Sequence, residues 1–134
     1  MTVEKQNISQ DLYVGNSKTI AVTVYTDDAL TTRKDLNGAE CTYVWVDSKG
    51  SIILIKSSQY PAQLDLTDAA NGETEIYLLP SDTIHIAPAV YHHHMNVVDS
   101  AGVEQTVFTG KVTLLKSYAQ RPRSMNVSAY LVGG

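Results

Sequence analysis

Apolar and polar residues alternate with a period of two in one short segment after another, and most of these segments end at glycine, proline or an Asp-x-x-Gly group. That period puts successive side chains on opposite faces of a strand, whereas a helical face needs apolar residues three and four apart. In residues 18–25 Ile20, Val22 and Val24 share a face; in 41–47 Cys41, Tyr43 and Trp45 share one and Val44 and Val46 the other, so both faces need cover. Asp47-Ser48-Lys49-Gly50 then turns the chain into SIILIK, which predicts a hairpin. Thr74, Ile76 and Leu78 alternate up to Pro80, and Tyr91, His93, Met95 and Val97 alternate up to the turn Asp99-Ser100-Ala101-Gly102. Residues 103–116 close the pattern as a strand pair or as one strand bulged at Gly110. Helical signals are confined to single turns near residues 65–70 and after Pro80, where Ser81 or Asp82 can cap. The prediction is an all-β, antiparallel two-sheet sandwich of immunoglobulin type, with Ile20, Val22, Val24, Tyr43, Trp45, Ile76, Leu78, Tyr91, Met95 and Val97 in its core.

A chain of 134 residues fits one domain, and its single cysteine, Cys41, excludes an internal disulfide framework and a zinc ribbon. Ten basic and fourteen acidic residues, scattered along the chain, give no footprint for nucleic acid. No apolar run approaches the twenty or so residues a bilayer-spanning helix needs, and MTVEKQNISQ has no apolar export core, so neither membrane nor secretion is expected. Three parts are expected: an N-terminal extension over 1–14, the sandwich over 15–116, and a C-terminal arm or added strand over 117–134. In the arm, Arg121-Pro122-Arg123 precedes the alternating Asn126-Val127-Ser128-Ala129-Tyr130-Leu131.

The order of these segments resembles a known family. The stretch Asp35-Leu36-Asn37-Gly38-Ala39 is followed by the alternation through Trp45, the Asp47–Gly50 turn, and Gly72 with Ile76 and Leu78. Next come Pro80-Ser81-Asp82-Thr83, Pro88-Ala89-Val90-Tyr91, Gly102 and Val107-Phe108-Thr109-Gly110. Over about residues 15 to 115 this is similar to small phage virion proteins whose immunoglobulin-like sandwich resembles the N-terminal domain of phage baseplate upper proteins. Their pattern carries Trp where this chain has Tyr43, and Gly where it has Ala89. The resemblance implies a non-enzymatic virion module of a tail, baseplate, neck or capsid surface, held by contact with other virion proteins in multiple symmetry-related copies. It also implies location in the virion, and in host cytoplasm during assembly. Gly38 and Gly102 then mark turns of positive φ, and Tyr91 a corner tyrosine with its hydroxyl bonded back to backbone.

Few residues advertise chemistry. His92 and His94 share a strand face, and such a pair holds a metal only if further ligands converge, so no metal and no cofactor are expected. His85 reads as a loop residue, Cys41 as a small core hydrophobe, and Asp27, Asp28, Asp65 and Asp68 as turn acids rather than calcium ligands. No nucleophile elbow, phosphate loop or metalloprotease helix occurs. Partner contact is expected from Tyr118, Arg121, Arg123, Val127, Tyr130 and Leu131 in the arm. The alternative is a carbohydrate-binding sandwich, which needs Tyr25, Tyr60, Tyr77 and Tyr118 to form an exposed row.

Overall fold

The computed structural model describes residues 6–7, 10–26 and 31–116. The strands are β1 (Gln6–Asn7), β2 (Gln10–Tyr13), β3 (Lys18–Thr23), β4 (Glu40–Val46), β5 (Ile52–Ser57), β6 (Leu64–Asp68), β7 (Glu73–Leu78), β8 (Val90–Val98) and β9 (Glu104–Leu115). A six-stranded sheet runs β1-β9-β8-β4-β5, with β2 also on β9, and a three-stranded sheet runs β3-β7-β6. The fold is an immunoglobulin-like β-sandwich. Every predicted core residue is buried, and Leu12, Val14, Leu36, Leu64, Phe108, Val112 and Leu114 join them between the sheets.

Three expectations are corrected. Residues 10–13 are not outside the sandwich: β2 pairs with β9 in parallel, Leu12 opposite Leu114, and buries Leu12 in the core. The alternation there, Leu12 then Val14, is too short to stand out, and these pairings make an otherwise antiparallel sheet mixed. Residues 64–68 form strand β6 rather than a turn, because Leu64 pairs with Ile76 and reaches the core; the turn comes one step later, as 3₁₀ helix at Ala69–Asn71. The bulge in β9 falls at Val107, not Gly110: Met95 pairs with Phe108 and Asn96 with Thr106, leaving one residue over.

Two hairpins are built alike from the same Asp-Ser-x-Gly sequence. In the first, Asp47 Oδ1 accepts the N–H groups of Lys49 and Ser51, and in the second Asp99 Oδ1 accepts those of Ala101 and Val103. Asp99 is also 3.2 Å from Lys34 Nζ. The Val103 amide, then Lys34, outweigh desolvation and hold its carboxyl below the usual range. The glycine closing each turn has φ of +84°.

The corner between β7 and β8 is a single α-helical turn, α1 (Pro80–Thr83). Asp82 Oδ2 accepts the Leu79 N–H at 2.7 Å and Lys56 Nζ at 2.6 Å. Lys56 lies on the core-facing side of β5, opposite Tyr43, so its ammonium is buried with this carboxylate. Thr83, also buried, accepts the Gly15 N–H on its hydroxyl at 2.9 Å. The Tyr91 hydroxyl donates to the Ala87 carbonyl, the expected corner contact.

In the turn from β6 to β7 Gly72 has φ of +71°, and a Cβ there would lie 2.6 Å from the Val24 carbonyl oxygen and 2.7 Å from that of Lys34. Both neighbours are backbone held by hydrogen bonds, so neither can give way. Gly72→Ala is expected to cost about 2–4 kcal/mol, adding a steric clash to left-handed strain. Urea denaturation measures it, and a loss under about 1 kcal/mol would mean that the turn relaxes freely.

Candidate functional site

Trp45, Tyr43 and His93 face the core in adjacent strands, Trp45 directly opposite His93 in the ladder. The indole Nε1–H donates to Tyr43 Oη at 2.7 Å, and Tyr43 Oη lies 2.7 Å from His93 Nδ1. An indole N–H can only donate, so the phenol oxygen accepts there, while the direction of its bond with Nδ1 is set by the imidazole tautomer. The imidazole is packed edge-on against Tyr43 and Phe108, with centroids 5.6 and 5.1 Å away, and Trp45 stacks on Tyr91 at 6.0 Å. In disulfide-bonded sandwiches the second cysteine lies two residues after the corner tyrosine. Here that place belongs to His93, and a polar network within one sheet stands where a cross-sheet bond would be.

The outer face of the six-stranded sheet carries His92 and His94. The register aligns Ile55, Val44, His94 and Thr109 in one row across four strands, and Val46, His92 and Lys111 in the next. Val44 is buried within this face, His94 is half-buried, and His92, Lys111 and Ile55 are exposed. A shallow depression here is lined by His92, His93, His94, Thr109, Gly110 and Lys111. His92 and His94 thus share the outer face, as expected, with the Lys111 strand position opposite His92. Among the described residues no group of three or more His, Cys, Asp or Glu side chains gathers within reach of one ion. Around Val44 and His94 the face offers imidazole, hydroxyl and aliphatic groups, with Lys111 beside them and Glu40 and Glu104 farther along the same strands.

Other sequence candidates fall in separate places. Cys41 is fully buried, and burial pushes its thiol from 9.0 up to about 12; burial, partly offset by the Trp45 hydrogen bond, also raises the Tyr43 phenol. A group whose folded value is raised stabilises the fold below its unfolded value and loses that contribution as pH rises toward the folded one. The unfolded thiol ionises near pH 9 while the folded one keeps its proton, so stability is expected to fall between about pH 9 and 12. Thermal unfolding followed against pH tests this. At pH 8 a thiol reagent should label Cys41 only as fast as the domain unfolds, and immediate labelling would place the thiol at the surface.

Tyr77 lies on the central strand of the three-stranded sheet and donates its hydroxyl to Glu75, Tyr25 forms an isolated bridge with Arg33 beyond β3, and Tyr60 sits exposed after β5. These three lie on different elements and form no row. Asp68 accepts from the Asn71 side chain, and His85 lies in the loop after α1. Asp27 and Asp28, and the arm residues Tyr118, Arg121, Arg123, Val127, Tyr130 and Leu131, lie outside the described residues. The row Ile55–Val44–His94–Thr109 was not anticipated from sequence. Both-face apolarity in 41–47 is its one visible signal.

No protein-family model matches this chain, and no curated protein does. Among solved structures it is similar to CopC from Methylosinus trichosporium OB3b, at 13% identity and a TM-score of 0.39 over 79% of this chain and 84% of that one. It is also similar to the Ig1 domain of mouse SynCAM 2, at 13% identity and a TM-score of 0.37 over 85% and 95%. A chain from the complex of ICOS with ICOS-L and an anti-ICOS-L VNAR domain matches at 17% identity and a TM-score of 0.41, over 84% of this chain and 56% of that one. These likenesses concern the sandwich fold alone.

Proposed function

We propose that this chain is a non-enzymatic structural component of a phage virion, an immunoglobulin-like module that attaches to neighbouring virion proteins by its sheet surface and chain ends. One observation carries the reading: the ordered motifs of the virion-protein pattern fall on the structural pivots of a single sandwich. Gly38 and Gly102 take positive φ, Pro80 opens the corner turn, Asp82 bonds back within it, and Tyr91 closes the corner. The uncharged row of Ile55, Val44, His94 and Thr109 at the middle of the outer face supports contact with protein.

The test is the protein composition of purified particles of the phage that encodes it. The reading expects the chain in stoichiometric, multiple copies, and its loss from particles when residues 117–134 are deleted. A chain abundant in infected cells but absent from particles would overturn the proposal. Specific retention on a glycan array by such a free chain would put the carbohydrate-binding alternative in its place.

A further inference from the structure

We infer that the outer edge of β5 accepts residues 126–131 of a second copy of this chain as an added strand; the inference rests on the reading above, that chain ends make the assembly contacts. β5 is the last strand of its sheet, and among the described residues no strand pairs with its outer side. The direction of its backbone groups follows from two bonds. The Ser58 N–H donates inward to the Cys41 carbonyl, and the Ser57 N–H donates away from β4 to Gln63 Oε1. Alternate residues of a strand point the same way, so the Ile55 N–H and carbonyl also face the open side. Ile52 and Ile55 are 61% and 55% exposed there, the largest apolar exposures on a sheet edge among the described residues.

The other edges are poorer acceptors. β6 is broken by a register shift between Asp65 and Asp68 and carries both carboxylates. β3 presents Thr19 and Ala21 to solvent, and the β1–β2 edge is split into two short pieces. Exposed charges guard an edge against pairing; β5 also has an irregularity, one extra residue opposite Trp45 and Val46, but its exposed side chains Ile52 and Ile55 are apolar.

The occupant is chosen by sequence, reach and polarity. Asn126-Val127-Ser128-Ala129-Tyr130-Leu131 alternates, is uncharged and contains no proline, which suits an added strand. β9 ends at the end of the sheet where β5 begins, since Val90 pairs with Thr113, His92 with Val46, and Val46 with Ile52. A strand laid beyond β5 would lie about 19 Å away at four strand spacings. The intervening residues 117–125 extend to about 30 Å. Length therefore limits neither copy. Direction does: an arm entering from that end would run parallel to its own β5, and the more stable antiparallel ladder is available on a second copy.

The experiment uses the full chain. An Ile55→Cys chain is mixed with an Ala129→Cys chain and oxidised, with buried Cys41 as a silent background. The mixed disulfide is expected to exceed either homodisulfide by about tenfold, a preference of roughly 1.4 kcal/mol. Predominant Ile55→Cys homodisulfide, which indicates edge-to-edge pairing, overturns the inference, as does a dilution-independent internal disulfide in the double variant. In sedimentation, the wild-type chain is expected to self-associate with concentration. Ile55→Pro, which removes the outward N–H, and Ile55→Lys, which charges the edge, should each weaken association at least about tenfold with the thermal midpoint retained. Unchanged association in Ile55→Lys, or a wild-type chain monomeric throughout, overturns it. Those results leave the virion reading to its own particle-composition test, so the two can fail separately.

Discussion

Replacing Asp82 by alanine is expected to destabilise the domain by about 3–5 kcal/mol, while Lys56→Met changes stability by less than about 1 kcal/mol. The asymmetry follows from burial. The Lys56 side chain is 4% exposed and that of Asp82 16%, with 2.6 Å between Nζ and Oδ2. Asp82→Ala leaves an ammonium within the sandwich without its carboxylate and strips the Leu79 N–H of its acceptor. Lys56→Met removes the charge that needed a partner and keeps the methylene stem packed, and the remaining carboxylate retains the Leu79 N–H and a route to water. In the Lys56→Met background, Asp82→Ala should therefore cost only about 1 kcal/mol, the worth of a cap. Urea midpoints of the four proteins measure the coupling. Equal costs for Asp82→Ala in both backgrounds would show that the ion pair does not fix this corner.

Much of the sandwich was legible because a strand's side-chain period is insensitive to what the strand pairs with. Ile20, Val22, Tyr43, Trp45, Ile76, Leu78 and Met95 are core residues by parity alone. The corner at Tyr91 was legible because proline and short polar side chains fix backbone locally. What escaped depends on pairing across the chain. Leu12 and Val14 offer only one repeat of the alternation, and it is pairing with β9, Leu12 opposite Leu114, that makes residues 10–13 a strand. Lys56 has the parity of Leu54, yet its ammonium is tolerated inside because Asp82 lies across the corner, a contact spanning 26 residues. His93 was placed on the core face with Met95, but its partner, Tyr43, is 50 residues away. The outer-face row of Ile55, Val44, His94 and Thr109 requires three registers at once, and a one-residue slip in any of them would dissolve it.

The largest effects are expected at the aromatic network. Trp45→Ala should cost about 3–5 kcal/mol through lost burial and the cavity left behind. Tyr43→Phe changes one atom, yet it is expected to cost about 2–4 kcal/mol, because the indole N–H and His93 Nδ1 both lose the phenol oxygen inside the core. A volume effect and a hydrogen-bond effect are separated by the background Trp45→Phe, which retains an aromatic ring and removes the indole donor. There Tyr43→Phe strands one group instead of two, so its cost should shrink by about 1 kcal/mol. Far-ultraviolet circular dichroism must follow these denaturations, since Trp45 is the chain's single tryptophan and its fluorescence is lost with it. A cost for Tyr43→Phe under about 0.5 kcal/mol, or one identical in both backgrounds, would reduce the three side chains to apolar packing. The predicted coupling has a structural consequence. It ties β4 to β8 at the centre of the six-stranded sheet without a disulfide, and so fixes the register that places Val44 beside His94 on the opposite face.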